Sequence, residues 1–359
     1  MVTPPGPDAR TRPRRAWPLV ALVVLLVLFT FGAARFELPY YALRPGQVRN
    51  TELLISVDGV ETYSADGSIS YTTVSLRRLT LFGYLDAQLD RDVEVLPEEE
   101  VLGERDPDEN RQFNLQLMDN SKQVAAQVAL EKLGYTVDTS AAGERVLEVQ
   151  EDMPADGLME PGDVIVEVEG EPIDDPGDLA RILSDNRPGD EIELTVQPFA
   201  EEEEKELSLE LAAAPDDPQR GVMGVLVQPD GVEYHFPFEI EFDTGDVGGP
   251  SAGLAFTLGL LDRLTPGELT GGKAVAVTGT ISSDGHVGEI GGVAQKAAAV
   301  RRSGAELFIV PAGNYEDAVA RAGDVEVVPV ETLDDALAAL ADLGGNALDL
   351  PTRPEGAGV

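Results

Sequence analysis

Two short stretches hold the residues with chemistry to offer. DVGGPSAGLAFTLGLLD, Asp246 to Asp262, sets Ser251 between a Gly-Gly-Pro turn and a strongly apolar run, and VAQKAAAVRRSGA, after Gly291-Gly292, sets Lys296 among alanines. Gly248 and Gly249 permit unusual backbone angles and close approach of a substrate, and Pro250 fixes φ at the turn. The run GLAFTLGLLDRL reads as a helix whose free N-terminal N–H groups and dipole could stabilise the oxyanion of a tetrahedral intermediate. On its own surroundings Ser251 is either a nucleophile or a plain helix N-cap.

In the second stretch Val293, Ala297 and Val300 fall at i, i+4 and i+7 and define a buried stripe, with Lys296 beside it. Arg301 and Arg302 take the polar end. A lysine so placed either snorkels its ammonium to water or is desolvated, with its pKa pulled down, and can then act as a general base.

Other chemistry is thin. GELTGGKA, Gly267 to Ala274, has the Gly-x4-Gly-Lys spacing of a phosphate loop, but Ala274 stands where the magnesium-binding Ser or Thr belongs. The segment also precedes a strand instead of following one, so nucleotide binding is not expected. Of the two histidines, His235 sits in an alternating strand and His286 at the turn Ser283-Asp284-Gly285-His286. Without cysteine, disulfides, thiolate catalysis and cysteine-zinc sites are excluded. No metal-ligand spacing is visible, and neither a metal nor a cofactor is expected.

The elements that must position these residues belong to a chain of 359 residues, which predicts two or three modules. Its formal charge of −40, from 66 acidic against 26 basic residues, repels phosphate backbones and argues against a nucleic-acid partner. Residues 1–15 form a basic tail with Arg10, Arg12, Arg14 and Arg15, placed directly before the uncharged run 16–34. That run of about 19 residues suffices for one membrane-spanning helix, and the arginines orient its N-terminus toward the cytoplasm. The expectation is a single-pass cell-membrane protein with its remaining domains extracytoplasmic. A cleaved signal peptide is the competing reading, because Gly32, Ala33 and Ala34 end the run; its apolar length exceeds a usual signal core and favours the anchor.

From 35 to 123 the chain reads as a β-rich segment, with TELLISV and SISYTTVSL broken by Asp58-Gly59 and Asp66-Gly67. Arg91 to Arg111 reads as a charged, solvated loop. SKQVAAQVALEKLG then reads as a helix stopped by Gly134.

Residues 124–214 alternate short strands with one helix over Pro176 to Ser184. Met153-Pro154-Ala155-Asp156-Gly157-Leu158, PGDVIVEVEGEPI and PGDEIELTV, in that order and spacing, resemble a PDZ domain of the bacterial arrangement. The resemblance implies that Leu133, Gly134, Tyr135, Thr136 and Val137 cradle the carboxylate of a C-terminal peptide, or add an extended peptide to a strand edge. The other reading of LGYTV is a helix stop followed by a strand.

Residues 220–345 alternate strands and helices, as an α/β domain does. Gly249-Pro250-Ser251-Ala252-Gly253, then AVTGTI from Ala276, GEIGGVAQK from Gly288 to Lys296 and GAELFIVP from Gly304 to Pro311 resemble the proteolytic domain of the Lon peptidases. By that resemblance Ser251 is the nucleophile, Lys296 the base, Thr278 the hydroxyl that positions the lysine, and Gly249 and Pro250 the supporting turn. Family members with an attached ATPase often carry an acid three positions before the serine; Gly248 stands there, with Asp246 and Asp243 nearby but shifted.

The whole chain, its tail apart, resembles the membrane-anchored, PDZ-containing Lon-like proteases of bacteria. The expected fold is thus α+β and multidomain: an N-terminal transmembrane helix, a PDZ-like β-rich domain, a Lon-type α/β proteolytic domain, and a disordered tail from 346 to 359. The expected activity is ATP-independent serine endopeptidase on protein or peptide substrates. Lon-type domains commonly form hexameric rings, which leaves a homo-oligomer open. The rival class is a membrane-tethered scaffold that binds peptides through its PDZ unit while its Lon-like domain stays catalytically silent.

Overall fold

The computed structural model describes residues 17–103, 105–184, 186–199, 203–214 and 217–351. The basic tail 1–15 and the end of the C-terminal tail, 352–359, lie outside the described residues. Within them the chain divides into two compact units, one made of 17–55, 62–125 and 242–350, the other of 56–61 and 126–241.

The first unit is built on a six-stranded sheet in the order Glu326–Val330, Leu307–Pro311, Ala274–Val277, Ser68–Thr80, Glu37–Asn50, Glu94–Pro97. The first four strands are parallel, and the last two are added antiparallel. Leu307–Pro311 is buried along its whole length and Ala274–Val277 nearly so, as parallel strands covered on both faces must be. Ala274 to Val277 pair with Ser68 to Tyr71. Residues 35–123 are therefore not a separate β-rich segment; their strands complete the sheet of the C-terminal domain. The PDZ-type unit is an insertion between two halves of one domain.

Arg91 to Arg111 is not a loop either. It contains the strand Glu94–Pro97, the short helix Glu98–Leu102 and the start of a long helix, Pro107–Lys132. The cause is local: Asp106 Oδ1 accepts from the Glu109 N–H while Glu109 Oε2 accepts from the Asp106 N–H. This is a reciprocal cap followed by proline at the first helical position.

The second unit has a sheet in the order Lys205–Glu210, Glu191–Gln197, Val164–Val168, Gly143–Val149, Val225–Asp230, with the helix Asp178–Leu183. Ile165, Val168, Ile192 and Leu194 fill its core. Its boundary runs beyond 214: Val225–Asp230, expected in the following domain, pairs antiparallel with Gly143–Val149 as the edge strand.

The N-terminal helix Trp17–Arg35 has 19 residues and exposes Val20, Leu22, Leu25, Leu28 and Phe31, among others. Among the described residues no helix is long and apolar enough to cross a membrane. The side chains of 18, 19, 29 and 32–34 are outside the described set, so the expected span from 16 to 34 is represented only in part. At the other end, 346–350 is not a free tail: Ala347 is 1% exposed, and Asn346 Nδ2 donates to the Pro266 carbonyl.

Candidate active site

Three elements of the first unit converge on Ser251. The apolar run after the turn forms the helix Gly253–Leu264, buried on nearly every side. Its N-cap is Ala252, with no side-chain capping bond, so Ser251 does not serve as the cap. Gly249 adopts φ +92, which explains a glycine there. The Ser251 carbonyl accepts from the Gly279 N–H at 3.0 Å and from Thr278 Oγ1 at 3.2 Å. Thr278 directly follows the strand Ala274–Val277 and is itself hydrogen-bonded through its N–H to the Ile309 carbonyl.

The helix Val293–Ser303 brings the lysine. It starts at Gly292 in the left-handed region, φ +69, against Val74 and Leu43. Val293, Ala297 and Val300 pack into the core as their spacing predicts. Lys296 does not snorkel: it is only 2% exposed. Its Nζ lies 2.6 Å from Ser251 Oγ and donates to Thr278 Oγ1 at 3.0 Å. With no carboxylate among these partners, burial pushes the lysine pKa down to about 7.

This arrangement has a definite polarity. An amine that donates one hydrogen to Thr278 can turn its lone pair to the Ser251 hydroxyl, while Thr278 spends its own hydrogen on the Ser251 carbonyl. Such a set can take a proton from Ser251 without an acid behind the base. Neither shifted acid is a hydrogen-bond partner of Lys296 Nζ, whose bonds go to Ser251 and Thr278; Asp246 lines the same cleft and pairs with Arg111.

Ser251 and Lys296 stand at a cleft of about 920 Å³ lined also by Tyr71 to Leu76, Met118, Gly248 to Ala252 and Gly291-Gly292, with Thr278 buried behind them. The strand Ala274–Val277 pairs with Ser68–Thr80 only as far as Tyr71. Past that point the strand runs on along the cleft, a surface suited to an extended peptide.

Elsewhere His286 pairs with Asp284 at an exposed turn, and His235 is exposed. Lys273 of the decoy loop pairs with Glu306. Among the described residues no group of His, Cys, Asp and Glu is placed to hold a metal ion.

The second unit has a cavity apart from residues 133–137. A cavity of about 590 Å³ is lined by Leu179 and Leu183 of the helix, Val225 and Val227 of the edge strand, and the loop Arg220 to Gly224 between. Residues 133–137 do not line it. Gly134 adopts φ +81 and ends the long helix, with its N–H on Glu131 and that of Tyr135 on Leu130. Leu133 and Val137 are buried, and Tyr135 packs edge-on against Phe238. The helix-stop reading of LGYTV describes this segment. The loop that lines the cavity is the RGVMGV run, whose two glycines flank a short apolar pair ahead of a strand.

Comparison with known proteins gives two matched segments: residues 145–198 match the PDZ domain, and residues 238–342 match the Lon protease C-terminal proteolytic domain. The chain is 32% identical over 115 residues to Lon protease 2 of Bacillus subtilis, covering 32% of this chain and 20% of that one. It is 34% identical over 97 residues to the archaeal Lon protease of Methanocaldococcus jannaschii, covering 27% and 14%. The chain thus spans about a fifth or less of the length of these relatives. Among solved structures, the PDZ domain of an SdrC-like protein from Listeria innocua is 27% identical and covers 24% of this chain and 92% of that one, with a TM-score of 0.22. The chain therefore carries a Lon-type proteolytic domain and a PDZ domain.

Proposed function

We propose that this chain is an ATP-independent serine endopeptidase in which Lys296 is the base for Ser251. The observation that carries the reading is the 2.6 Å approach of a buried lysine amine to the serine hydroxyl. Neutral Lys296 takes the Oγ proton as Oγ attacks the scissile carbonyl carbon. The N–H groups of Gly253 and Leu254 are already given to the Pro250 and Gly279 carbonyls, so the oxyanion is stabilised by backbone N–H groups of the turn that carries Ser251, ahead of the helix. The lysine ammonium then gives its proton to the leaving amine, the C–N bond breaks, and an acyl ester stays on Ser251. Water, deprotonated by the same amine, hydrolyses that ester and restores the serine.

The direct test is incubation of the protein with casein and no nucleotide, read by mass spectrometry. Cleavage by the wild type and not by Ser251→Ala supports the proposal. Intact casein in both points to a silent domain and a binding role.

For the PDZ unit the proposal is recognition of a C-terminal or extended peptide along the strand Val225–Asp230, with apolar side chains entering between it and Leu179 and Leu183. Leu183→Glu should weaken binding of a valine-terminated peptide at least about tenfold in a fluorescence titration, because it puts a charge where an apolar side chain of the peptide would pack. Unchanged affinity removes the groove from the proposal.

We also propose a membrane tether with the N-terminus cytoplasmic and both domains outside. What supports it is the exposed apolar surface of the helix Trp17–Arg35 behind four arginines. Full-length protein should stay with the membrane fraction through an alkaline carbonate wash, and a chain starting at Glu37 should not. Release of both refutes the tether.

A further inference from the structure

The turn that carries Ser251 is gripped from the long helix Pro107–Lys132. Asn114, Ser121 and Ala125 share one face of that helix, at i, i+7 and i+11. The Asn114 carbonyl accepts from the Gly249 N–H at 2.7 Å. Ser121 Oγ donates to the Pro250 carbonyl at 3.0 Å, and Ala125 offers its carbonyl to Thr257 Oγ1 at 3.4 Å. Of the bonds made just before Ser251, two therefore come from a helix far away in sequence; the Pro250 carbonyl also accepts locally from the Gly253 N–H at 3.2 Å.

The fit leaves no room to spare. A Cβ at Gly248 would lie 2.9 Å from Asn114 Cβ and 3.0 Å from its carbonyl carbon. A Cβ at Gly253 would lie 2.9 Å from Ser121 Oγ. This accounts for the glycine three positions before the serine: the helix backbone fills the space an acidic side chain would need there.

We propose that Ser121 is a positioning residue for Ser251, an inference that rests on the serine-lysine reading of the site. A turn with two consecutive glycines is intrinsically mobile, and a reacting atom displaced by an ångström loses much of its rate. Ser121 acts on the peptide group between Pro250 and Ser251. Because that group is planar and trans, holding its carbonyl also aims the Ser251 N–H the opposite way. The nucleophile is thus fixed from the Lys296 side through its hydroxyl and from the long helix through its backbone.

The test compares wild type, Ser121→Ala and Ser121→Thr by steady-state cleavage of fluorescein-labelled casein and by amide hydrogen exchange over 246–256. Ser121→Ala should lower kcat by about tenfold with KM within about twofold, and exchange of the Gly249 and Gly253 amides should speed up by a similar factor. Ser121→Thr keeps the hydroxyl and should recover both. Unchanged local exchange in Ser121→Ala overturns the proposal, as does a kcat unchanged from wild type. A general loss of protection across the domain overturns it too, since that signals a merely structural role. If wild type and Ser251→Ala cleave casein alike, the serine-lysine reading fails separately, and the exchange result still decides whether Ser121 holds the turn.

Discussion

Replacing Ser251 with alanine lowers casein cleavage by at least about a thousandfold and leaves the fold intact. The size follows from covalent chemistry: without Oγ there is no acyl ester, and Lys296 can at best activate water from a poorly placed position. The small structural effect follows from where the serine sits. Ala252 is the helix cap, and the backbone bonds through the Ser251 carbonyl to Gly279 and Thr278 do not involve its side chain. Only the contact with Lys296 is lost, and the amine keeps Thr278. Circular dichroism and the melting temperature should therefore match the wild type within a few degrees. Turnover above a tenth of the wild-type rate in purified Ser251→Ala would sink the nucleophile assignment. A collapsed melting curve would mean the comparison tests folding, and Ser251→Gly, which also removes the nucleophile, would then replace it.

How much of this site the sequence reveals depends on how local each part is. Ser251 is legible because its turn and helix are consecutive, and Lys296 because the apolar stripe of a short helix passes beside it. That the two meet is not a local fact: it depends on the strand Ala274–Val277, which carries Thr278 to a point between them. Ser121 was invisible, because nothing in SKQVAAQVALEKLG says what lies 129 positions away at Pro250. SISYTTVSL is legible as a strand, whereas Thr51 to Leu54 form a turn and the strand Glu37–Asn50 carries no such run; the sheet is not legible, since pairing partners for a parallel strand can come from any distance along the chain. The start of the long helix was the opposite case. Its Asp-Pro-Asp-Glu cap lay in plain view, and the weight of charge around it hid the signal.

Which segment lines the cavity of the second unit is not a local fact either. Both LGYTV and RGVMGVLV offer a glycine-bearing loop followed by a short strand, and only the sheet order decides which strand stands at the edge beside the helix Asp178–Leu183. That place went to Val225–Asp230.

Lys296→Met should abolish cleavage and make the protein more stable, a pairing expected only if burial is what prepares the lysine. The lysine pKa falls from 10.5 to about 7 because the charged form is desolvated. For wild-type activity the sign is direct: the amine must be neutral to accept a proton, so kcat/KM should climb about tenfold per pH unit below 7 and flatten above about 8. For stability the sign also follows from proton binding. Between pH 7 and 10.5 the unfolded state holds a proton on Lys296 that the folded state does not, so folding stability rises with pH across that window. Below it both states bind the proton and the penalty is complete; above it both are neutral and the penalty is gone. Methionine has similar length and no charge to desolvate, so at pH 7 Lys296→Met should gain roughly 2–4 kcal/mol, less than the full shift implies because the site can relax. The gain should shrink toward zero near pH 10.5, in denaturant titrations run at both pH values. Lys296→Arg should also be inactive, since a guanidinium stays protonated throughout. A Lys296→Met protein that is no more stable than wild type at pH 7 would mean that the lysine carries no desolvation penalty, and a pH profile flat from 5 to 9 would deny it the role of base.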